Sequence, residues 1–305
     1  MSRVLVTGGH GFLGSHVVRR FADAGYDVAA PSKEEYDLTD AFDVDMLLAD
    51  SGPDLVVHLA AEVGGIGANQ ANPGFFWYAN LVMGANVLEQ CRRNDVGKLV
   101  MIGTICSYPK HTPVPFREDD LWDGYPEETN APYGVAKKAL IVGAQAYREQ
   151  YDLNAISLLP VNLYGPGDHF DLENSHVIAA LVRKMVDAQE SGASEVVLWG
   201  DGSPTREFLY VEDCAEAILL ASERYDGPEP VNLGSGVEIS IRDLAWTVAE
   251  IVGGQCTLRW DTSRPNGQPR RRLDVTRAKE RFGFEARTRF REGLAHTVEW
   301  YRAQR

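Results

Sequence analysis

Tyr133 and Lys137 are the two residues of this chain whose types and spacing point most directly to acid–base chemistry. Residues four apart in a helix lie on one face, one turn from each other. A phenol titrates near pH ~10, but an ammonium about 4 Å away at an effective dielectric of about 20 favours the phenolate by roughly 4 kcal/mol. The spacing therefore predicts a tyrosine of lowered pKa that exchanges a proton with an oxygen whose carbon gains or loses hydride.

The same spacing is also typical of an exposed helix with an amphipathic tyrosine, so this interpretation depends on a dinucleotide site upstream. Near the start of the chain, the apolar run Val4–Thr7 leads into a glycine-rich turn and then into an apolar helix. Glycines so placed permit a tight turn and close approach of the backbone to a pyrophosphate, which the helix N-terminus then faces. The alternative is a plain turn. We predict that the cofactor is bound by Gly8, Gly9, His10, Gly11, Phe12, Leu13 and Gly14.

The residues after the second predicted strand bear on the identity of the dinucleotide. An NAD site usually has a carboxylate there for the ribose 2'-hydroxyl, whereas a 2'-phosphate needs a cation. Lys33 supplies a cation, which favours NADP(H); a solvated loop lysine is the alternative. We place Asp37 and Leu38 near the adenine, although Asp37 is also suited to cap the next helix. The small residues Ala60 and Ala61 let the cofactor lie against the backbone.

The fourth predicted strand ends in residues that could complete the acid–base site. Thr104 lies 29 residues before Tyr133, and its hydroxyl can share a substrate carbonyl oxygen with the phenol. Cys106 is two residues further on, so it leaves the strand end towards the same space. A structural thiol is the alternative for any single cysteine, but this position beside a nicotinamide favours a reactive one.

Composition excludes several other classes of function. With 44% hydrophobic and 24% charged residues, the 305-residue chain is typical of a globular enzyme. It has no apolar run long enough to span a membrane, and Met1 to Arg3 lead directly into a strand, so we expect a cytoplasmic protein without a signal peptide. The four cysteines are widely spaced, which predicts free thiols and no metal site. A net charge of -14 argues against nucleic acid or an anionic membrane as partner.

The pattern of elements predicts the fold class as α/β, with a Rossmann-type doubly wound parallel sheet and a smaller C-terminal α/β substrate lobe. Residues 1–164 and 206–235 are expected to form the NADP-binding domain. Residues 165–205 and 236–305 are expected to form the lobe that binds the substrate.

Several strings of residues carry a family resemblance. The glycine turn, the string His58 to Ala61, the strand-four hydroxyl and the Tyr133–Lys137 pair together resemble the extended short-chain dehydrogenase/reductases that modify nucleotide sugars. Longer strings, in order along nearly the whole chain, are similar to the GDP-L-fucose synthase family. They are Ala60–Ile66, Cys106 with Tyr108-Pro109-Lys110, Asn162–Pro166, Ser175–Ile178, Trp199-Gly200, Arg206–Leu209 and Pro269–Asp274.

The resemblance implies a two-stage reaction on GDP-4-keto-6-deoxy-mannose: epimerisation at C3 and C5, followed by NADPH-dependent reduction at C4. Cys106 and His176 match the family's acid/base pair, and Tyr133 would protonate the C4 oxygen while Lys137 holds the nicotinamide ribose. The further cofactor-binding positions implied are Pro160, Asn162, Leu163 and His176.

The resemblance also implies a binding site for the nucleotide sugar, at Lys184, Trp199, Arg206 and Asp274. Arg206 suits a diphosphate because its guanidinium pairs with two oxygens at once. The other readings are core packing for Trp199, helix capping for Asp274 and a solvated face for residues 270–272. A homodimer through helices around residues 74–94 and 132–150 is a further expectation from the family.

Three alternatives stay open. The family usually has serine where this chain has Thr104, so a relative acting on another 4-keto sugar, such as a GDP-deoxyheptose, is one of them. A 4-epimerase or 4,6-dehydratase is another, although a dehydratase would show Asp-Glu where this chain has Ile105-Cys106. The last is a non-catalytic dinucleotide-sensing protein, which predicts loss of Tyr133 or Lys137, and both are present.

Overall fold

A computed structural model describes residues 2–64, 66–171, 175–253, 256–263, 266 and 268–305 of the chain. Gly65, within the string Ala60–Ile66, lies outside the described residues. All the residues predicted to form the site are among those described.

Six strands form the main sheet, and every neighbouring pair is parallel. The strand order is β2-β1-β3-β4-β5-β9, which reverses direction between β1 and β3 and so opens a crevice at the carboxyl ends of the strands. This arrangement confirms the predicted Rossmann-type doubly wound sheet. The strands are β1 (Arg3–Thr7), β2 (Asp27–Ala29), β3 (Leu55–His58), β4 (Lys98–Ile102), β5 (Ala155–Pro160) and β9 (Val231–Leu233).

Helices cover both faces of this sheet because alternate residues of each strand point to opposite sides. Val4 and Val6 share one apolar core with Phe21, whereas Leu5 shares another with Leu48. The helices of the described chain are α1 (Phe12–Asp23), α2 (Ala41–Ser51), α3 (Ile66–Ala71), α4 (Pro73–Arg93), α5 (Ala131–Tyr151), α6 (Val177–Ser191), α7 (Val211–Arg224), α8 (Ile241–Val252), α9 (Thr276–Phe282) and α10 (Phe290–Ala303).

Two smaller sheets and a separate apolar core lie beyond the main sheet. Strand β8 is hydrogen-bonded to β10, β12 and β6, and β7 pairs in parallel with β11. Helices α6, α8 and α10 contribute to this second core, in which the ring of Tyr164 contacts Phe208, Tyr210 and Phe290. The strands are β6 (Asn162–Tyr164), β7 (Glu195–Trp199), β8 (Thr205–Tyr210), β10 (Glu238–Ser240), β11 (Thr257–Asp261) and β12 (Arg270–Arg271).

The division of the chain into two domains stays our proposal. Residues 206–235 were expected to rejoin the nucleotide-binding domain, and within them β9 belongs to the main sheet and α7 packs beside α1. Strand β8, however, runs in the smaller sheet. In the described chain, no helix is both long enough and apolar enough to cross a membrane.

Candidate active site

Helix α5 carries the predicted acid–base pair. Pro132 stands in its first turn, where the fixed backbone of proline suits a helix and its missing N–H is not needed. Tyr133 and Lys137 follow one turn apart, and both line one large cavity. Lys137 is only 3% exposed, and burial lowers its pKa to about 8.

The phenol of Tyr133 differs from the expectation based on spacing alone. Burial raises the pKa of Tyr133 well above its usual value, Cys106 adds to the rise, and a hydrogen bond with the Thr104 side chain opposes it. The spacing shows the attraction of the Lys137 ammonium, which lowers the pKa of the phenol. It does not show the larger cost of removing a phenolate from water, which raises that pKa. Tyr133 is therefore a neutral phenol at pH 7, which is the form that donates a proton to an oxygen.

The end of β4 places two further predicted residues beside Tyr133. The hydroxyl oxygen of Thr104 accepts the backbone N–H of Cys106 at 3.2 Å, which caps the short 3-10 helix Ile105–Ser107. The Ser107 hydroxyl donates to the Gly134 carbonyl oxygen at 3.1 Å, which ties this short helix to α5. The sequence neighbours of Thr104 therefore fix its hydroxyl and the Cys106 thiol at the same end of the cavity.

The close approach of α5 to the short helix depends on Gly134. A Cβ at this position would lie 2.3 Å from the Cys106 carbonyl oxygen, so Gly134→Ala has to push the two helices apart. We expect a loss of about 1–3 kcal/mol in the free energy of unfolding, measured by urea denaturation. Gly74→Ala in α4 is the matched control, since nothing lies within 4 Å of its added Cβ. Equal stability of the two variants would contradict the packing argument.

His176 approaches the same cavity from the second lobe. It precedes α6 as the N-cap residue, is exposed, and lines the cavity together with Cys106. The carboxyl group of Asp168 is buried and interacts electrostatically with His176, while one of its oxygens accepts the His169 backbone N–H at 2.7 Å. The structure thus brings the two predicted epimerisation residues to one space, from two different parts of the fold.

The glycine turn after β1 forms the other end of the cavity. Gly8 has a φ of +70°, and a Cβ on Gly14 would lie 2.0 Å from the Gly8 carbonyl oxygen, so both positions require glycine. The N-terminus of α1 follows directly, with no acidic residue in its first turn. Backbone and helix end together suit a pyrophosphate. Gly9 is not among the residues that line the cavity, and its Cα lies close to Ala30 and Val18; its contact with the cofactor stays a prediction.

Lys33, Asp37 and Leu38 line the cavity beyond the glycine turn. The Lys33 ammonium forms an ion pair with Glu62 at 2.7 Å, and its side chain is 75% exposed. The Asp37 carboxylate accepts the Thr39 backbone N–H at 2.9 Å and so shapes the loop before α2. The cap of α2 is Asp40 and not Asp37.

Arg206 enters the cavity from β8 because the residues of a strand alternate between its two faces. Its neighbour Glu207 points the other way, is fully buried, and accepts the backbone N–H groups of Leu273 at 2.6 Å and Gly236 at 2.7 Å. Burial, and then the nearby Arg271, lower the pKa of Arg206 to about 10. Two guanidinium groups side by side in a half-closed space favour an anionic ligand.

The remaining predicted substrate residues divide into two groups. Lys184 and Trp199 line the cavity; the Lys184 ammonium donates to the Val197 carbonyl oxygen at 3.1 Å, and Trp199 is 65% exposed, which excludes a core role. Asp274 does not line the cavity. Its carboxylate accepts the Thr276 backbone N–H at 2.9 Å at the start of α9, and its contact with the substrate stays a prediction.

The cavity that joins these residues has a volume of about 2030 Å³ and runs from the glycine turn to the second lobe. In the part of the chain that is described, no group of three or more His, Cys, Asp or Glu side chains is arranged to hold a metal ion. The predicted residues that line the cavity are Gly8, His10, Gly11, Phe12, Leu13, Gly14, Lys33, Asp37, Leu38, Ala60, Ala61, Thr104, Cys106, Tyr133, Lys137, Pro160, Asn162, Leu163, His176, Lys184, Trp199 and Arg206.

The sequence of the chain is similar to those of known enzymes. Residues 4–234 match the sequence model of the NAD dependent epimerase/dehydratase family. The chain belongs to that family. GDP-L-fucose synthase 1 of Arabidopsis thaliana is 42% identical over 301 residues, which cover 98% of this chain and 93% of that protein.

Two solved structures of this epimerase/dehydratase fold are especially informative. A GDP-L-fucose synthetase from Naegleria fowleri, bound to NADP, has a TM-score of 0.90 and 28% identity, with 99% of this chain and 94% of that chain covered. A GDP-6-OMe-4-keto-L-xylo-heptose reductase from C. jejuni has a TM-score of 0.93 and 27% identity, with 100% and 98% covered.

These findings confirm three predictions made from the sequence: the resemblance to GDP-L-fucose synthases, the fold class, and an enzyme of the epimerase/dehydratase family that uses a nicotinamide cofactor. The glycine turn after β1 and the N-terminus of α1 fit the pyrophosphate of such a cofactor.

Several cavity residues come from the C-terminal part of the chain and were not predicted from the sequence. Arg271, Gln268, Asn266 and Trp260 all line the cavity of this family member. Arg271 lies in β12, which has only two residues and so shows no periodicity. The three arginines at 270–272 were the available signal, and a solvated face was the interpretation given for them.

Proposed function

We propose that this enzyme converts GDP-4-keto-6-deoxy-D-mannose to GDP-L-fucose, acting as a 3,5-epimerase and an NADPH-dependent 4-reductase. The observation that supports the proposal is that Cys106 and His176 line the same cavity as the Tyr133–Lys137 pair, beside the glycine turn. Cys106 and His176 suit proton transfer at carbon, whereas the Tyr133–Lys137 pair suits proton transfer at the ketone oxygen. Two of the relatives named above are named as a GDP-L-fucose synthase and a GDP-L-fucose synthetase, which supports this product.

Epimerisation requires that a proton leave a carbon next to the ketone and return on the opposite face. Thiols and imidazoles are side-chain types that exchange protons near working pH, and Cys106 and His176 supply one of each in this cavity. The enolate oxygen formed in between needs hydrogen-bond donors, and the Thr104 hydroxyl and the Tyr133 phenol are already joined at that end of the cavity.

Reduction uses the same oxygen. When bound, NADPH supplies the hydride for C4. Tyr133, held neutral by burial, donates its proton to the ketone oxygen, and the adjacent Lys137 stabilises the phenolate that is left behind. We also assign the Lys137 ammonium to the ribose of the bound cofactor, as the family resemblance implies. Because the pKa of Tyr133 is raised, the phenol stays protonated between turnovers.

The substrate's diphosphate is assigned to the basic side of the cavity. Arg206 on β8 and Lys184 on α6 both line this cavity. The protein's net charge is -14, so an anionic ligand has to be held by a local group of cations such as this one. Trp199 and Trp260 line the same region and offer flat surfaces for a base.

A second candidate is a reductase of another GDP-linked 4-keto sugar. The structural similarity to the C. jejuni heptose reductase favours it, as does Thr104 at a position where the family usually has serine. The added methyl group narrows the space next to the sugar. The test compares kcat/KM for GDP-4-keto-6-deoxy-mannose with that for a GDP-4-keto-heptose, with NMR identification of the products. A higher value for the deoxy-mannose substrate supports the proposal; the reverse order replaces it with the second candidate.

We propose NADP(H) as the preferred cofactor because Lys33 provides a cation at the end of the cavity where the adenosine ribose would lie. Lys33→Gln is expected to weaken NADPH binding by about tenfold while leaving NADH binding within about twofold, since only NADPH has the 2'-phosphate. Titration of nicotinamide fluorescence measures both dissociation constants.

Glu62→Gln is the control for this variant, since it removes the ion-pair partner of Lys33 but keeps the cation. It should bind NADPH at least as tightly as the parent enzyme. An equal loss of NADPH and NADH affinity in Lys33→Gln would contradict the assignment of Lys33 to the phosphate.

We propose a homodimer through α4 and α5. Both helices expose apolar side chains: Phe75 is 53% exposed and Tyr78 54% exposed on α4, and Val142 is 50% exposed on α5. Sedimentation equilibrium should give twice the chain mass of 33.7 kDa, and a single-chain mass at micromolar concentration would contradict the proposal. The cytoplasmic location stays a prediction from the sequence.

A further inference from the structure

The guanidinium of Arg271 lies beside the Cys106 thiol at the centre of the cavity. Its Nη1 atom is 4.0 Å from Cys106 Sγ, within the range of an N–H to sulfur hydrogen bond. The two residues are 165 positions apart in the chain. They meet because β12, which carries Arg271, pairs with β8. Both side chains are partly buried and line the cavity, so their interaction is shielded from bulk water.

The guanidinium is held in place from its other side. Arg271 Nε donates to the side-chain oxygen of Gln268, and Gln268 Nε2 donates to the Lys110 carbonyl oxygen at 2.9 Å. Lys110 is four residues after Cys106, so Gln268 fastens the arginine to the segment that carries the thiol. Such bracing reduces the entropy lost when the cation meets an anion.

Arg271 also lacks the usual partner of an arginine. Within the described ranges, no carboxylate is within ion-pair distance of its guanidinium, whereas the neighbouring Arg270 is paired with Glu238 at 2.5 Å. A braced cation that is not paired with a carboxylate is available for another anion. The groups that face Cys106 are Tyr133 on α5 and Arg271 on β12, and His176, Lys110 and Arg206 line the same cavity.

We propose that Arg271 is a positioning residue that stabilises the thiolate form of Cys106, the form that acts as a base in the proposed epimerisation. The inference deepens the proposed function and depends on it for this role. The thiolate takes a proton from a carbon next to the ketone; an S–H bond forms, and the electron pair of the broken C–H bond becomes the enolate. The imidazolium of His176 gives a proton to the opposite face, and both side chains then re-equilibrate with water.

The experiment measures the pH dependence of Cys106 alkylation by iodoacetamide, without sugar or cofactor, in the full chain. Cys256→Ser serves as the background, because Cys91 and Cys214 are fully buried and Cys256 is the other partly accessible thiol among the described residues. Arg271→Gln is expected to raise the midpoint of the alkylation profile by about one pH unit, which is a roughly tenfold lower rate at pH 7. Arg271→Lys keeps a positive charge and should lie nearer the parent.

Arg270→Gln is the matched control: it removes the adjacent positive charge, which is paired with Glu238 and does not contact Cys106, and should leave the midpoint unchanged. If Arg271→Gln and Arg271→Lys both retain the parent midpoint and only raise KM for the GDP-sugar, Arg271 belongs to the diphosphate site and the proposal is overturned. Because alkylation needs no substrate, a wrong sugar in the proposed function would not alter this result.

Discussion

Replacing Tyr133 with phenylalanine is expected to lower the rate of ketone reduction by about 10⁴-fold. The variant loses both the proton donated to the C4 oxygen and one hydrogen bond to that oxygen, and general-acid catalysis alone contributes up to about this factor. Exchange of the protons beside the ketone should slow less, by about 10²-fold, because only the hydrogen bond to the enolate is lost while Cys106 and His176 remain. NADPH oxidation followed by absorbance gives the first rate, and NMR in deuterated water gives the second.

Tyr151→Phe is the control for this variant. Tyr151 lies at the far end of the same helix, is exposed, and packs beneath the Arg92 guanidinium away from the cavity. Both rates should remain at the parent value in this control. A reduction rate within tenfold of the parent in Tyr133→Phe would mean that another group protonates the C4 oxygen, and the role assigned to the α5 pair would be wrong.

Replacing Cys106 with serine is expected to slow proton exchange much more than ketone reduction, which is the reverse of the effect of Tyr133→Phe. A serine hydroxyl is far too weak an acid to form the anion that removes a proton from carbon, so exchange at the carbons next to the ketone should fall by about 10³-fold. Reduction should stay within about tenfold of the parent, since the substitution is nearly isosteric and Thr104 still caps the short helix. The product would then be the 4-hydroxy sugar that has not been epimerised, which NMR distinguishes from GDP-L-fucose.

Cys256→Ser, at a partly buried position beyond α8, is the matched control and should leave both stages unchanged. Loss of reduction in parallel with loss of exchange in Cys106→Ser would assign the thiol to the structure of the site and not to its chemistry. Unchanged exchange would transfer the proton chemistry at C3 and C5 to other groups.

Much of the site could be predicted because its residues belong to local units of the sequence. The glycine turn lies between one strand and one helix, and Tyr133 and Lys137 lie one turn apart on α5. Thr104 could be added because the carboxyl ends of parallel strands meet at one edge of a sheet. These predictions needed only spacing and periodicity, which the sequence displays directly.

Other features depend on contacts that no local pattern displays. Arg271 reaches Cys106 through a two-residue strand, and its partner strand β8 is far away in the sequence. Asp274 was expected to bind the substrate because of the family resemblance; its carboxylate accepts the Thr276 backbone N–H, a contact that the resemblance did not indicate. The spacing in the sequence shows that Lys137 is near Tyr133, which would lower the pKa of the phenol. It does not show that Tyr133 is buried, and burial raises that pKa.

Proton exchange with GDP-4-keto-6-deoxy-mannose in deuterated water, before and after NADPH is added, shows whether this enzyme both epimerises and reduces that sugar. We expect deuterium at C3 and C5 without NADPH, and formation of GDP-L-fucose once NADPH is present. Binding of NADPH without either exchange or reduction would contradict the claim that this chain epimerises and reduces that sugar.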